Sequence, residues 1–345
     1  MRLIKPQFEI WEQKPGIDSI YKAIERAGRI CYRSENKIIE DSAKPFVDRI
    51  TNSGHTSVLE HGTVYLQFSW VGAVCHQCNQ TAPNKLLDRY CDNKYSIVKY
   101  HGNDVYVTTN LRVLVENNWL DDLKYICEPT EYHAKRVTVK FVCDRGVSHE
   151  FVRHRVFSFA QESQRYCNYS KDKFGNELTF IKPCWLDMRD TDEGREVTRN
   201  WNFDILDGCS IIAEEGEFDD ARDAFLTSLN VAEHCYLELL QKGWKPQQAR
   251  AVLPNALKTE LVMTGFADDW WGEYLVIDKS TGLIDQRIHG KFYDELNNID
   301  RDKYRIVEKG FFPLRCSSGA HPQAQELAIP LREEFVKKGY ITDNK

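Results

Sequence analysis

Arg153-His154-Arg155-Val156-Phe157-Ser158-Phe159-Ala160-Gln161-Glu162-Ser163-Gln164-Arg165-Tyr166 is the chemically densest stretch of this 345-residue chain. Three arginines and a histidine are interleaved there with Val156, Phe157, Phe159 and Tyr166, a pattern that predicts partial burial. Buried guanidinium groups need anionic or polar partners, and only Glu150 and Glu162 are acidic nearby. Residues 147–157 are expected to form a helix with Val147, Phe151 and His154 on one side. Because successive helical residues are turned by about 100°, Arg153 and Arg155 would then address different ligand parts. If residues 161–165 are extended, Gln161, Ser163 and Arg165 share a face and offer an amide, a hydroxyl and a guanidinium. That set suits a nucleoside monophosphate.

Outward from this stretch the periodicities alternate between helical and strand types. Ile20, Ala23, Ile24, Ala27 and Ile30 predict a helix over 19–31, followed by a shorter one over 45–50. β-branched and aromatic content predicts strands over 63–69 and 138–143. Between them lie a short strand over 104–108 and a helix-like segment over 110–119. Residues 219–242 carry a strong apolar helical face, ended by Gly243. A further helix is expected over 246–262, bent at Pro254. Residues 274–277 are strand-like and precede the turn Ser280-Thr281-Gly282. The reading is an α+β fold, a mostly antiparallel sheet surrounded by helices. It forms a single domain over 1–345, with insertions near 70–137 and 271–310.

Composition narrows the function. A net charge of −6 gives no global attraction for nucleic acid or anionic membrane, so anionic ligands must be held by local arginine clusters. The N-terminus lacks the apolar core of an export signal, and no later run reaches membrane-spanning length. A cytoplasmic protein without membrane or nucleic-acid-polymer partners is expected. The eleven scattered cysteines fit reduced, mostly buried thiols better than disulfides.

Arg153-His154-Arg155 followed by seven residues and Ser163 resembles the hallmark of the flavin-dependent thymidylate synthases. Three more blocks resemble the family in the same order: Gly54-His55-Thr56-Ser57-Val58-Leu59-Glu60-His61, Ala249-Arg250-Ala251-Val252-Leu253-Pro254, and Phe311-Phe312-Pro313-Leu314-Arg315 with His321-Pro322-Gln323-Ala324-Gln325-Glu326. The resemblance implies the thymidylate synthase-complementing fold, a homotetramer with shared sites, and methylation of dUMP to dTMP. It also implies FAD as cofactor, with methylenetetrahydrofolate and NADPH as co-substrates. Carried over residue by residue, it places Glu150, Arg153, Gln161, Glu162, Ser163, Gln164, Arg165, Arg250 and Arg315 at the nucleotide. His55, Ser57, Arg153, His154, Arg155 and Gln161 fall at the flavin. Arg315 is the expected catalytic residue, stabilising an ionised pyrimidine N3. Gln161 and Gln247 stand where many members carry Glu. No Gly-x-Gly-x-x-Gly follows a strand, which argues against a dinucleotide fold of the doubly wound type.

Two other chemistries are open to the sequence. Cys75-His76-Gln77-Cys78, Cys91 and His101 could organise zinc in a nucleic-acid-binding module with 153–165 as its basic patch. One Cys-x-x-Cys without a second pair, in an acidic chain, argues against it, and no metal site is assigned. Pro183-Cys184 resembles the nucleophile of cofactor-independent thymidylate synthases, but no activating base is evident. Cys184 is therefore assigned to packing.

Overall fold

The computed structural model describes residues 1–69, 89–171, 175–186, 204–206, 210–212 and 220–340. The chain divides into two compact units. The smaller comprises Met1–Pro6, Cys143–Gly146 and Ser163–Thr259; the larger comprises Gln7–Val142, Val147–Glu162 and Glu260–Lys345.

In the larger unit, alternation along Arg136–Asp144 turns Val137, Val139 and Phe141 into the core, each at most 3% exposed. This strand lies inside a four-stranded sheet ordered Gln7–Trp11, Arg136–Asp144, Lys258–Phe266, Ser158–Gln161. Residues 7–11 run antiparallel to 138–142, and residues 158–161 run antiparallel to 261–264. A second sheet pairs Thr63–Ser69 and Ile97–His101 antiparallel on either side of Asp104–Asn110. Val64, Leu66 and Phe68 on its inner face join Ile20 and Ile24 of helix Ile17–Ile30, and Phe46, Val47 and Ile50 of helix Ala43–Asn52. Each large apolar side chain buried in this way contributes about 1.5–3 kcal/mol. A third sheet has Glu273–Asp278 between Ile284–His289 and Tyr304–Lys309.

The smaller unit pairs Arg2–Ile4 parallel to Thr179–Ile181 and Asp204–Leu206 antiparallel to Ser210–Ile212. Helix Ala221–Gln241 is capped by Asp220, whose side chain accepts from the backbone N of Asp223 at 2.8 Å. It packs Leu229 and Tyr236 against Leu178, Phe180 and Leu257.

The α+β class therefore holds. The antiparallel pairing is divided among several small sheets, and the pairing of Arg2–Ile4 with Thr179–Ile181 is parallel. Three local expectations are corrected. The helix expected over 147–157 runs Arg145–Phe151 and then gives way to turns, because Ser158–Gln161 is drawn into the sheet. The strand ends at Gln161; residues 164–166 form a turn in which Ser163 Oγ accepts from the backbone N of Arg165 at 3.3 Å. Gln161, Ser163 and Arg165 consequently do not lie along one extended face. The helix expected over 246–262 stops at Ala249, with a 3₁₀ turn Arg250–Val252 and then strand Lys258–Phe266. Pro254 disfavours helical backbone at Leu253, whose ψ is 128°.

Residues expected to form a first insertion also belong to the core, since Val105, Val107, Leu111, Val113 and Leu114 pack in the same cluster as Ile20 and Phe46. Of the eight described cysteines only Cys143 and Cys167 are buried, and Cys184 is exposed, so its packing role is not observed. Among the described residues, no helix is long and apolar enough to cross a membrane.

Candidate active site

Arg315 lies on the short helix Phe311–Cys316, which starts from Gly310. Gly310 and Gly272 both have positive φ, 94° and 68°, and their backbones touch. A Cβ on Gly272 would lie 2.0 Å from the Lys309 carbonyl oxygen, so only glycine permits the approach. Below the helix sits an aromatic cluster. Phe311 lies with ring centroids 5.0 Å from Phe151, 4.9 Å from Trp270 and 5.2 Å from His154. Trp270 is fully buried and Phe157 meets it edge to face at 4.6 Å.

This packing brings Arg315, Glu150 and His154 together. Arg315 Nε donates to His154 Nε2 at 2.9 Å, Nη1 to Glu150 Oε2 at 2.5 Å, and Nη2 to the Glu150 carbonyl at 2.7 Å. A guanidinium has five N–H donors, so others remain for a ligand. Because Nε2 accepts, the neutral His154 ring carries its proton on Nδ1. Burial, then the charges of Arg315 and Arg153, push the His154 pKa down to about 4. Burial also lowers the pKa of Arg315, with Glu150 opposing that shift and Arg153 reinforcing it.

The other expected residues have different settings. Arg153 and Arg155 are exposed on the turn flanking buried His154. The Gln161 amide donates to Ser148 Oγ at 2.9 Å, a partner unforeseen in the sequence because the two lie on different elements. Glu162 is 2% exposed, and its backbone N donates to the Glu260 carbonyl at 2.9 Å. His55 and Ser57 are exposed around the 3₁₀ turn Thr56–His61. Its neighbour His61 is buried, with Nδ1 2.8 Å from Thr264 Oγ1, and burial pushes its pKa down to about 3. All of these belong to the larger unit. Ser163, Gln164, Arg165 and Arg250 belong to the smaller one, where both arginines are exposed.

Of the residues considered for zinc, 75–78 lie outside the described residues. Cys91 Sγ is 3.7 Å from the Tyr100 hydroxyl, and His101 stacks on Tyr132 at 3.9 Å.

The sequence pattern of the family described as thymidylate synthase complementing protein matches residues 17–96 and 129–275, more than half of the chain. The chain belongs to this family. Within the family match fall His55, Ser57, the whole 150–165 stretch and Arg250; Arg315 lies beyond it. Among relatives, the flavin-dependent thymidylate synthase of Corynebacterium aurimucosum is 32% identical over 126 residues, covering 36% of this chain and 43% of that protein. The enzyme of the same name from Pyrococcus furiosus is 26% identical over 122 residues, covering 35% and 37%. The matched stretch thus spans less than half the length of either relative. A crystal structure of the UMP/dUMP methylase PolB from Streptomyces cacaoi, bound with 5-Br dUMP, aligns over 98% of this chain and 93% of that one. Its identity is 15% and its TM-score 0.35, too distant to transfer any residue role.

Proposed function

We propose that this member of the family methylates the uracil ring of dUMP at C5, forming dTMP with methylenetetrahydrofolate as the one-carbon donor. The observation that carries the reading is the three-point anchoring of Arg315 by Glu150 and His154, which fixes a cation while leaving N–H donors unused. A guanidinium held against a pyrimidine carbonyl stabilises negative charge at N3 and so enriches C5, the carbon that must attack the one-carbon unit. Glu150 holds the Arg315 plane, and neutral His154 receives Nε without adding a second positive charge. Exposed Arg165 and Arg250 are assigned to the phosphate, which guanidinium groups grip bidentately. Ser163, Gln164, Gln161 and Glu162 complete the nucleotide side, Gln161 through its amide and Ser163 through its hydroxyl hydrogen.

The donor set fits FAD. Arg153 and Arg155 present exposed guanidinium groups, and His55 and Ser57 expose an imidazole and a hydroxyl suited to pyrophosphate and ring oxygens. When bound, the flavin supplies the hydride that completes the methyl group, with NADPH as the reductant that restores it. His154 is assigned to positioning Arg315 beside that cofactor. A homotetramer in which several chains complete each site accords with arginines left facing solvent in one chain.

The test is dTMP formation by the purified chain given FAD, NADPH, methylenetetrahydrofolate and dUMP, with UMP assayed in parallel. dUMP-dependent dTMP formation is expected. Failure of folded, flavin-loaded protein to methylate either nucleotide would refute the proposal, and methylation of UMP alone would refute its choice of sugar.

A further inference from the structure

The larger unit also contains a cavity of about 330 Å³ that shares no residue with the Arg315 cluster. Its walls include Trp11, Tyr65, Lys135, Arg136, Thr138 and Tyr340. The unusual member is Arg136. Its Nη1 donates to two neutral oxygens, the Glu60 carbonyl at 3.1 Å and Thr63 Oγ1 at 3.3 Å, and its Nε is fully buried with no acceptor. Among the described residues no carboxylate forms an ion pair with it. The Glu60 carboxylate pairs instead with Arg112, and Asp269 attracts Arg136 without bonding to it. Burial pulls the Arg136 pKa down to about 10. A half-buried cation without an anionic partner carries a desolvation cost, and an anion entering the cavity would reduce it.

The lining also selects the kind of anion. Tyr65, Tyr340 and Trp11 offer aromatic surface, and Lys135 Nζ lies 4.0 Å from the centroid of the Tyr340 ring. Glu12 on the same wall is held by Lys338 at 3.0 Å and by the Tyr340 hydroxyl at 3.2 Å. Its carboxylate would repel a dianion more than a monoanion. We propose that this cavity binds a small planar aromatic monocarboxylate, its charge taken by Arg136 and Lys135 and its ring by the tyrosine and tryptophan walls. Pockets of this size that combine apolar walls with a few fixed polar groups are the usual form of small-ligand sites.

Calorimetric titration of the full chain with benzoate, with neutral benzamide and inorganic phosphate as comparators, tests the proposal independently of any methylation activity. Saturable one-to-one benzoate binding is expected, with benzamide and phosphate each weaker by about tenfold or more. Arg136→Lys keeps charge but loses the fork and is expected to weaken benzoate by about tenfold. Since Arg136 also braces residues 60–63, Lys135→Glu at an exposed position provides a second reading. It reverses the charge at the cavity and is expected to weaken benzoate by a similar factor. Absence of saturable benzoate binding would overturn the site. Equal benzamide binding, or unchanged affinity in Lys135→Glu, would overturn the role of charge, and equal phosphate binding would overturn the aromatic specificity.

Discussion

At the scale of single residues, the site depends on how few neighbours hold Arg315. Replacing Arg315 with Ala removes the proposed cation at the pyrimidine while leaving the exposed arginines of 153–155 in place. kcat/KM for dUMP should fall by about 10²–10³, with FAD binding measured by fluorescence largely retained; near-normal turnover would exclude Arg315 from the chemistry. The tautomer of His154 gives a separate test. Its folded-state pKa of about 4 lies below the ordinary value of about 6.5. Between these values the unfolded chain binds the proton and the folded one does not. The His154 contribution to stability is therefore complete above about pH 6.5 and declines as pH falls towards about 4. NMR titration of the imidazole should show a midpoint near 4. A midpoint of about 6.5 would mean that the imidazole is not buried beside Arg315. Neither feature was legible in the motif, which names His154 without revealing that Arg315, 161 residues away in sequence, uses its acceptor nitrogen.

Among elements, helix Leu111–Glu116, inside the first expected insertion, braces the His55 block. Helix Leu111–Glu116 places Arg112 against Glu60 and Glu116, and Thr56 Oγ1 donates to Glu116 Oε1 at 2.7 Å. The family match skips residues 97–128, so this brace comes from residues outside the shared pattern. Arg112→Ala removes a partly exposed pair worth about 1 kcal/mol. If His55 and Ser57 contact flavin, the FAD Kd should rise by about fivefold with far-UV circular dichroism unchanged; an unaltered Kd would detach the brace from flavin binding. The helix bearing Arg315 has a different dependence. Gly272→Ala forces a Cβ into the Lys309 carbonyl at a positive φ, so unfolding experiments should show a loss of more than about 2 kcal/mol. Turnover should drop as well, because Gly310 leads directly into that helix. Full stability in the variant would mean that the backbone contact is not needed.

For the whole molecule, the residues proposed for the nucleotide include Ser163, Arg165 and Arg250, which belong to the smaller unit, and Glu150 and Arg315, which belong to the larger. A site assembled from several chains would give exposed arginines such as Arg153, Arg165 and Arg250 anionic ligands and neighbours. Light scattering behind size exclusion should then report about four times the 40.3 kDa chain mass, the assembly expected of the family. A monomer with full dTMP-forming activity would show that one chain suffices.

The sequence by itself determined the family, through blocks whose side chains carry ligand chemistry independently of their exact backbone. It also determined most strands and helices whose periodicity is uninterrupted, such as Thr63–Ser69 and Ala221–Gln241. Local periodicity reports which face is apolar and nothing about a distant partner. The tertiary structure alone decided that the helix expected over 147–157 stops at Phe151 and that residues 158–161 pair with 261–264. It alone showed that the expected insertion carries core residues, and that Arg315 closes on Glu150 and His154. In each case the deciding contact is long-range, and its free energy overrides a local preference worth only tenths of a kcal/mol per residue, up to about 1.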